Sequence, residues 1–145
     1  MKHQFLGIDH LGIAVGDLEE STRIYQDVLG FEALGAEKLE DRGIEVRFLQ
    51  TGNSKIELLG ALHDQSEISG FLSKRGPGIH HICVRVDDLQ AAIDHIAQEG
   101  GRIIGGGIQD GAHNTRVAFV HPKTTSGVLL ELVEAPSASQ KENSP

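Results

Sequence analysis

Four residues of this chain have the types and settings needed for metal-assisted chemistry: His10, Glu57, His81 and Glu131. Each lies in a short apolar or alternating run: Ile8-Asp9-His10-Leu11-Gly12-Ile13-Ala14-Val15, Ile56-Glu57-Leu58-Leu59, Ile79-His80-His81-Ile82-Cys83-Val84 and Leu130-Glu131-Leu132-Val133. Successive side chains of an extended strand point to opposite faces. Leu11, Ile13 and Val15 therefore oppose His10, Gly12 and Ala14, and Ile82, Val84 and Val86 oppose His81, Cys83 and Arg85. In the same way Ile56 and Leu58 oppose Glu57, and Leu130 and Leu132 oppose Glu131. The apolar faces are expected to meet helices, which leaves two imidazoles and two carboxylates on the other side. Neutral imidazole nitrogen and carboxylate oxygen suit a divalent ion such as Zn²⁺, Co²⁺, Ni²⁺ or Mn²⁺, with octahedral positions left for water or substrate oxygens. Taken singly, a strand His or Glu is more often a surface group or an ordinary hydrogen-bonding partner. The case for a shared site rests on these residues recurring in pairs.

The recurrence is a duplication. Ile8 to Leu18 repeats as Ile79 to Leu89 with a constant offset of 71 residues, and Ile, His, Val, Asp and Leu return in register. A long period present only twice reads as a duplicated module and not as a solenoid. Each copy then enters a helical pattern. Asp17 with Glu20 resembles a capping box opening a helix to about Leu29, closed by Gly30. Leu89, Ala92, Ile93 and Ile96 fall at helical spacing before Gly100 and Gly101. Runs 44–50, 55–60, 116–121 and 127–133 read as strands, with 33–38 and 102–105 as weaker ones, so each half reads β-α-β-β-β. Module one spans about 5–62 and module two about 78–134. Between them, 63–77 holds a short helix over Ser66 to Ser73 and a hinge at Arg75-Gly76-Pro77-Gly78. The polar, aperiodic tail 135–145 is expected to be disordered.

Composition bounds the rest. At 145 residues and 39% hydrophobic content the chain can form one compact domain or two small modules. A formal net charge of −8 without a basic run argues against nucleic acid as a partner. One cysteine, Cys83, precludes an intrachain disulfide and fits a reducing compartment. The start Met1-Lys2-His3-Gln4-Phe5 lacks the apolar run of a secretory leader, and no stretch is long enough to span a bilayer. A soluble, cytoplasmic protein without membrane contact is expected.

These motifs resemble those of the vicinal-oxygen-chelate superfamily, which includes glyoxalase I, extradiol dioxygenases, fosfomycin-resistance proteins and methylmalonyl-CoA epimerases. Asp9-His10-Leu11-Gly12-Ile13-Ala14-Val15 looks like the epimerase opening motif. Gly78-Ile79-His80-His81-Ile82 with Val86-Asp87-Asp88 is similar to the central one. His121-Pro122-Lys123 with Gly127-Val128-Leu129-Leu130-Glu131-Leu132 is similar to the closing one. The resemblance covers about residues 5 to 134. It implies an α+β fold in which paired βαβββ modules form a curved eight-stranded mixed sheet around one divalent metal and no organic cofactor. It also implies a homodimer, a small acyl-CoA or thioester substrate, and His81 as the ligand of its pair, with His80 outside the ligand set. Some relatives carry a proton-transferring Glu where this chain has Val46. Glu45, one residue away, should face the other side.

The activity implied is inversion of the α-carbon of methylmalonyl-CoA through a metal-stabilised enolate. Glu131 and Glu57 are the candidate proton carriers, with Glu131 favoured because several relatives have Gln at the Glu57 position. Lys123 and Arg116, then Lys74 and Arg75, are candidates for the CoA phosphates, although single surface cations are usually only solvated. The glycine-rich stretch Gly105 to Asn114 could be a closing loop or a plain hairpin connection. His113 and His121 are weaker substrate-contact candidates. His3, His63 and His95 read as ordinary, and Cys83 reads as a small buried apolar group. Three rivals stay open on the same scaffold. One is a glyoxalase I-type lactoylglutathione lyase. Another is an extradiol dioxygenase using His10, His81 and Glu131. The last is a non-enzymatic small-molecule-binding protein without metal.

Overall fold

The computed structural model describes residues 3–136. The eight strands belong to one mixed sheet, as the repeat and the resemblance implied. The chain divides into two compact units, His10–His81 and the residues up to Asp9 together with those from Ile82 on.

In the unit His10–His81 the strand order is β2-β3-β4-β1, with β1 Phe5–Ala14, β2 Glu32–Leu39, β3 Ile44–Gln50 and β4 Lys55–Ala61. β1 runs parallel to β4, and β3 runs antiparallel to both β2 and β4. Helix α1, Leu18–Arg23, opens where the sequence places its cap: the Asp17 carboxylate accepts the Glu20 N–H at 3.0 Å. Arg23 bonds Glu20 one turn on and holds that carboxylate below its usual range. The expected continuous helix to Leu29 instead widens into a π turn over Ile24–Val28, in which the Leu29 N–H reaches back to the Ile24 carbonyl. Gly30, at φ +85°, then ends it. Leu18 and Tyr25 pack with Ile13, Val15, Leu49, Ile56 and Leu58, so the apolar strand faces do meet the helix. Helix α2, Glu67–Arg75, starts at the Ser66 cap, one residue from the expected start.

The other unit contains β5 Gly78–Val86 from Ile82 on, α3 Leu89–Gln98, β6 Ile103–Asp110, β7 Arg116–Val120 and β8 Leu130–Glu134. The order of its strands is β5-β8-β7-β6. Asp88 caps α3 as Asp17 caps α1, accepting the Ala91 N–H at 3.0 Å. Val86, Leu89, Ala92, Ile93, Ala118, Val120 and Leu132 form the core beneath α3.

Two sequence expectations need correction here. The Gly105–Asn114 stretch is not a free loop. Most of it is strand β6, whose pairing with β7 breaks between Ile104 and Gln109, and the glycines supply the positive-φ backbone of that irregularity. A tight turn at Ala112–Asn114 follows, with His113 and Asn114 at φ +56° and +58°. The last strand begins at Leu130 and not at residue 127, because Gly127 (φ +111°) closes a turn back onto the Pro122 carbonyl. Most of the expected disordered tail, 137–145, lies outside the described residues. Among the described residues no helix is long and apolar enough to cross a membrane.

Candidate metal centre

Five polar or charged residues are buried among the described residues, and four of them are the ones singled out by the repeat. His10, Glu57, His81 and Glu131 are 5–7% exposed, and the fifth, Ser66, is the cap of α2. Burying a carboxylate costs several kcal/mol unless hydrogen bonds or a cation compensate it. Two such carboxylates, matched by two imidazoles, need a physical reason to be inside.

The strand register supplies the placement. On the parallel pair β1/β4, Glu57 lies opposite Gly12, two residues beyond His10. On the parallel pair β5/β8, Glu131 lies opposite Cys83, two residues beyond His81. Each half thus delivers one His and one Glu to the same face of adjacent strands with the same stagger.

Within the unit His10–His81, three of the four meet directly. His10 Nε2 and His81 Nε2 are 3.0 Å apart, their rings edge-to-face at 89°. The other nitrogen of His10, Nδ1, is 3.0 Å from Glu57 Oε2. Gly12 makes room for this: a Cβ there would stand 2.1 Å from His81 Cε1 and 2.4 Å from Nδ1. Strand alternation puts Gly12 on the His10 face, but a role filled by a missing side chain leaves only the glycine as its signal in the sequence.

In the other unit Glu131 is flanked by Cys83 on β5 and Phe119 on β7. Cys83, Val117, Phe119 and Val133 make an apolar cluster there, so Cys83 is the small buried group expected.

Comparison with known proteins identifies the family. The sequence profile of the Glyoxalase/Bleomycin resistance protein/Dioxygenase superfamily matches residues 9–119. The chain is 43% identical over 127 residues to the ethylmalonyl-CoA/methylmalonyl-CoA epimerase of Cereibacter sphaeroides, covering 86% of this chain and 95% of that one. It is 40% identical over 129 residues to human mitochondrial methylmalonyl-CoA epimerase, covering 88% and 73%. The crystal structure of methylmalonyl-CoA epimerase from Mycobacterium tuberculosis superposes with a TM-score of 0.87 at 39% identity, covering 94% and 93% of the two chains. The chain belongs to the methylmalonyl-CoA epimerase family of this superfamily.

Val46 is buried on the Glu57 face of β3, paired with Leu59 on β4 and with Glu37 on β2. Half-buried Glu37 therefore shares the Glu57 face, a placement hidden in sequence because β2 is a weak strand pattern. Glu45 faces the helix side, as the alternation required. It bonds Arg47 at 2.7 Å, and that bond is the largest cause raising the guanidinium pKa above its ordinary value, with Glu19 adding to it. Arg116 is exposed and paired with Glu134 at 3.0 Å. Lys123 is exposed on the turn after β7, where its N–H donates to His121 Nδ1, so His121 organises that turn. Lys74 and Arg75 end α2, the Arg75 guanidinium 5.8 Å from the Phe71 ring centre. His113 is exposed in its tight turn. His63 packs on Gly43, and His3 lies 5.5 Å from His95 between ring centres.

Proposed function

We propose that the protein inverts the α-carbon of methylmalonyl-CoA at a single divalent ion held by His10, Glu57, His81 and Glu131. The observation that carries this reading is the burial of these four groups at repeat-related positions in a chain of the epimerase family. The donor set fits such an ion. Two nitrogens each about 2.1 Å from one metal at a right angle stand about 3 Å apart, and the His10 and His81 Nε2 atoms are 3.0 Å apart. Glu57 now touches His10 Nδ1, so it would become a ligand by swinging off that nitrogen. Mixed imidazole and carboxylate donors admit Co²⁺, Zn²⁺, Ni²⁺ or Mn²⁺.

The ion would supply Lewis-acid polarisation of the thioester and carboxylate oxygens of the malonyl unit, which lowers the cost of the enolate. The chain's own residues do the rest. Glu131 accepts the proton as the α-carbon–hydrogen bond breaks, Glu57 in its protonated carboxylic acid form gives a proton to the opposite face, and proton exchange with water restores both groups. The apolar cluster of Cys83 and Phe119, which flank Glu131 on the neighbouring strands, limits the access of water to it. Lys123 is the better placed of the two phosphate candidates, since Arg116 must first leave Glu134. The exposed Phe5, Leu6 and Ile8 of β1 are consistent with a homodimer.

The deciding experiment incubates purified protein with methylmalonyl-CoA in heavy water and follows α-deuterium uptake with and without added metal. Metal-dependent uptake is expected. Its absence discards the epimerase reading, and turnover of a glutathione hemithioacetal would then move the assignment to the lyase.

A further inference from the structure

We propose that His80 is a positioning residue, which fixes the ring of His81 by accepting its Nδ1 proton and ties that ring to helix α2. The inference rests on His81 being a metal ligand and goes beyond it by naming the atom, the direction of the hydrogen bond and the element behind it. Neighbouring residues on a strand point to opposite faces, yet the His80 and His81 rings bend toward each other until their Nδ1 atoms are 3.0 Å apart, planes at 89°. The other nitrogen of His81 faces His10 Nε2. An imidazole that ligates through Nε2 carries its proton on Nδ1, and the partner of that proton sets both tautomer and ring orientation. With Nε2 of His81 given to the ion, His80 Nδ1 is therefore the acceptor, and His80 carries its own proton on Nε2.

His80 is itself held. Its ring stands edge-to-face on Phe71 of α2 with centres 5.0 Å apart, and the Arg75 guanidinium lies near the same Phe71 ring. Aromatic contacts of this kind contribute about 0.5–1.5 kcal/mol beyond area burial. The chain of contacts Arg75, Phe71, His80, His81 runs from the helix that links the two repeats to a buried donor atom. The histidine before the ligand thus has a use that a bare ligand count does not require.

The test measures Co²⁺ affinity by competition with a chromophoric chelator for wild type, H80L, H80N and H81A, with apo thermal unfolding as the folding control. H80L removes the acceptor and should weaken binding by about 10- to 100-fold. Asn carries a carbonyl oxygen near the place of the histidine Nδ1, so H80N should restore affinity to within a few-fold of wild type. Proton–nitrogen NMR of the Zn²⁺-loaded wild type should show the His81 proton on Nδ1 and protected from exchange with bulk water, a readout that needs no variant to fold. Equal affinity in H80L and wild type, equal losses in H80L and H80N, or a His81 proton on Nε2 instead of Nδ1 in the Zn²⁺ form would each overturn the proposal. Failure of wild type to bind Co²⁺, or unchanged binding in H81A, would instead overturn the metal site beneath it.

Discussion

Gly12 and His81 occupy one space between them: the imidazole of the second fills the volume a side chain on the first would need, with ring atoms 2.1–2.8 Å from the position of the missing Cβ. The backbone there requires no glycine for its own sake, because Gly12 is not among the positive-φ residues. The constraint is therefore steric and local. G12A should displace the His81 ring and lower metal affinity by about tenfold or more, an effect of the size seen when ligand orientation is lost. Calorimetric titration with Zn²⁺ measures it. Affinity unchanged in a folded G12A protein would show that His81 has room elsewhere and that Gly12 has no bearing on the site.

The contact between His10 Nδ1 and Glu57 Oε2 gives Glu57 two possible services, orienting His10 or ligating the ion. Both need an oxygen acceptor and neither needs full negative charge. E57Q should accordingly keep metal affinity within about tenfold, whereas E57A should lose considerably more by leaving the His10 Nδ1 proton buried without its acceptor. Metal titration of the two variants side by side decides this. A loss in E57Q as large as in E57A would mean that the charge itself holds the ion.

The placement of His10, Glu57, His81 and Glu131 together on one strand face is legible in the sequence because duplication writes the same residue types twice, and because strand alternation sorts them from their apolar neighbours. The caps Asp17 and Asp88 were legible for the same reason. What escaped was whatever depends on backbone rather than side-chain pattern. The glycines of β6 carry no strand propensity, yet the flanking residues Ile103 and Ile104 and then Gln109 and Asp110 pair with β7. The direction in which Glu57 points was also hidden, since alternation gives a face but not a rotamer.

Glu45 and Glu37 separate by face, and activity should separate with them. Glu45 is bound to Arg47 on the helix side of β3, while Glu37 is paired with Val46 on the side of Glu57. E45Q should leave α-deuterium exchange within about twofold and cost about 0.5–1 kcal/mol of stability for a partly exposed pair. E37Q should slow exchange measurably with little change in melting temperature. Exchange that falls in E45Q and not in E37Q would show that the face assignment of β3 has no bearing on catalysis.

Glu131 is the sharpest test of the proposed chemistry, because its two services can be pulled apart. As a ligand it offers an oxygen, which an amide also offers; as a proton acceptor it needs the carboxylate, which an amide cannot replace. E131Q should therefore retain metal, weakened by no more than about tenfold to a hundredfold, while α-deuterium exchange falls by about 10²- to 10⁴-fold, the usual worth of a general base. Its surroundings strengthen the contrast, since Phe119 and Val133 beside it offer no substitute base. The measurement is exchange rate at saturating metal, with metal content checked in the same sample. Near wild-type exchange in metal-loaded E131Q would remove Glu131 from proton transfer and leave it only the role of ligand.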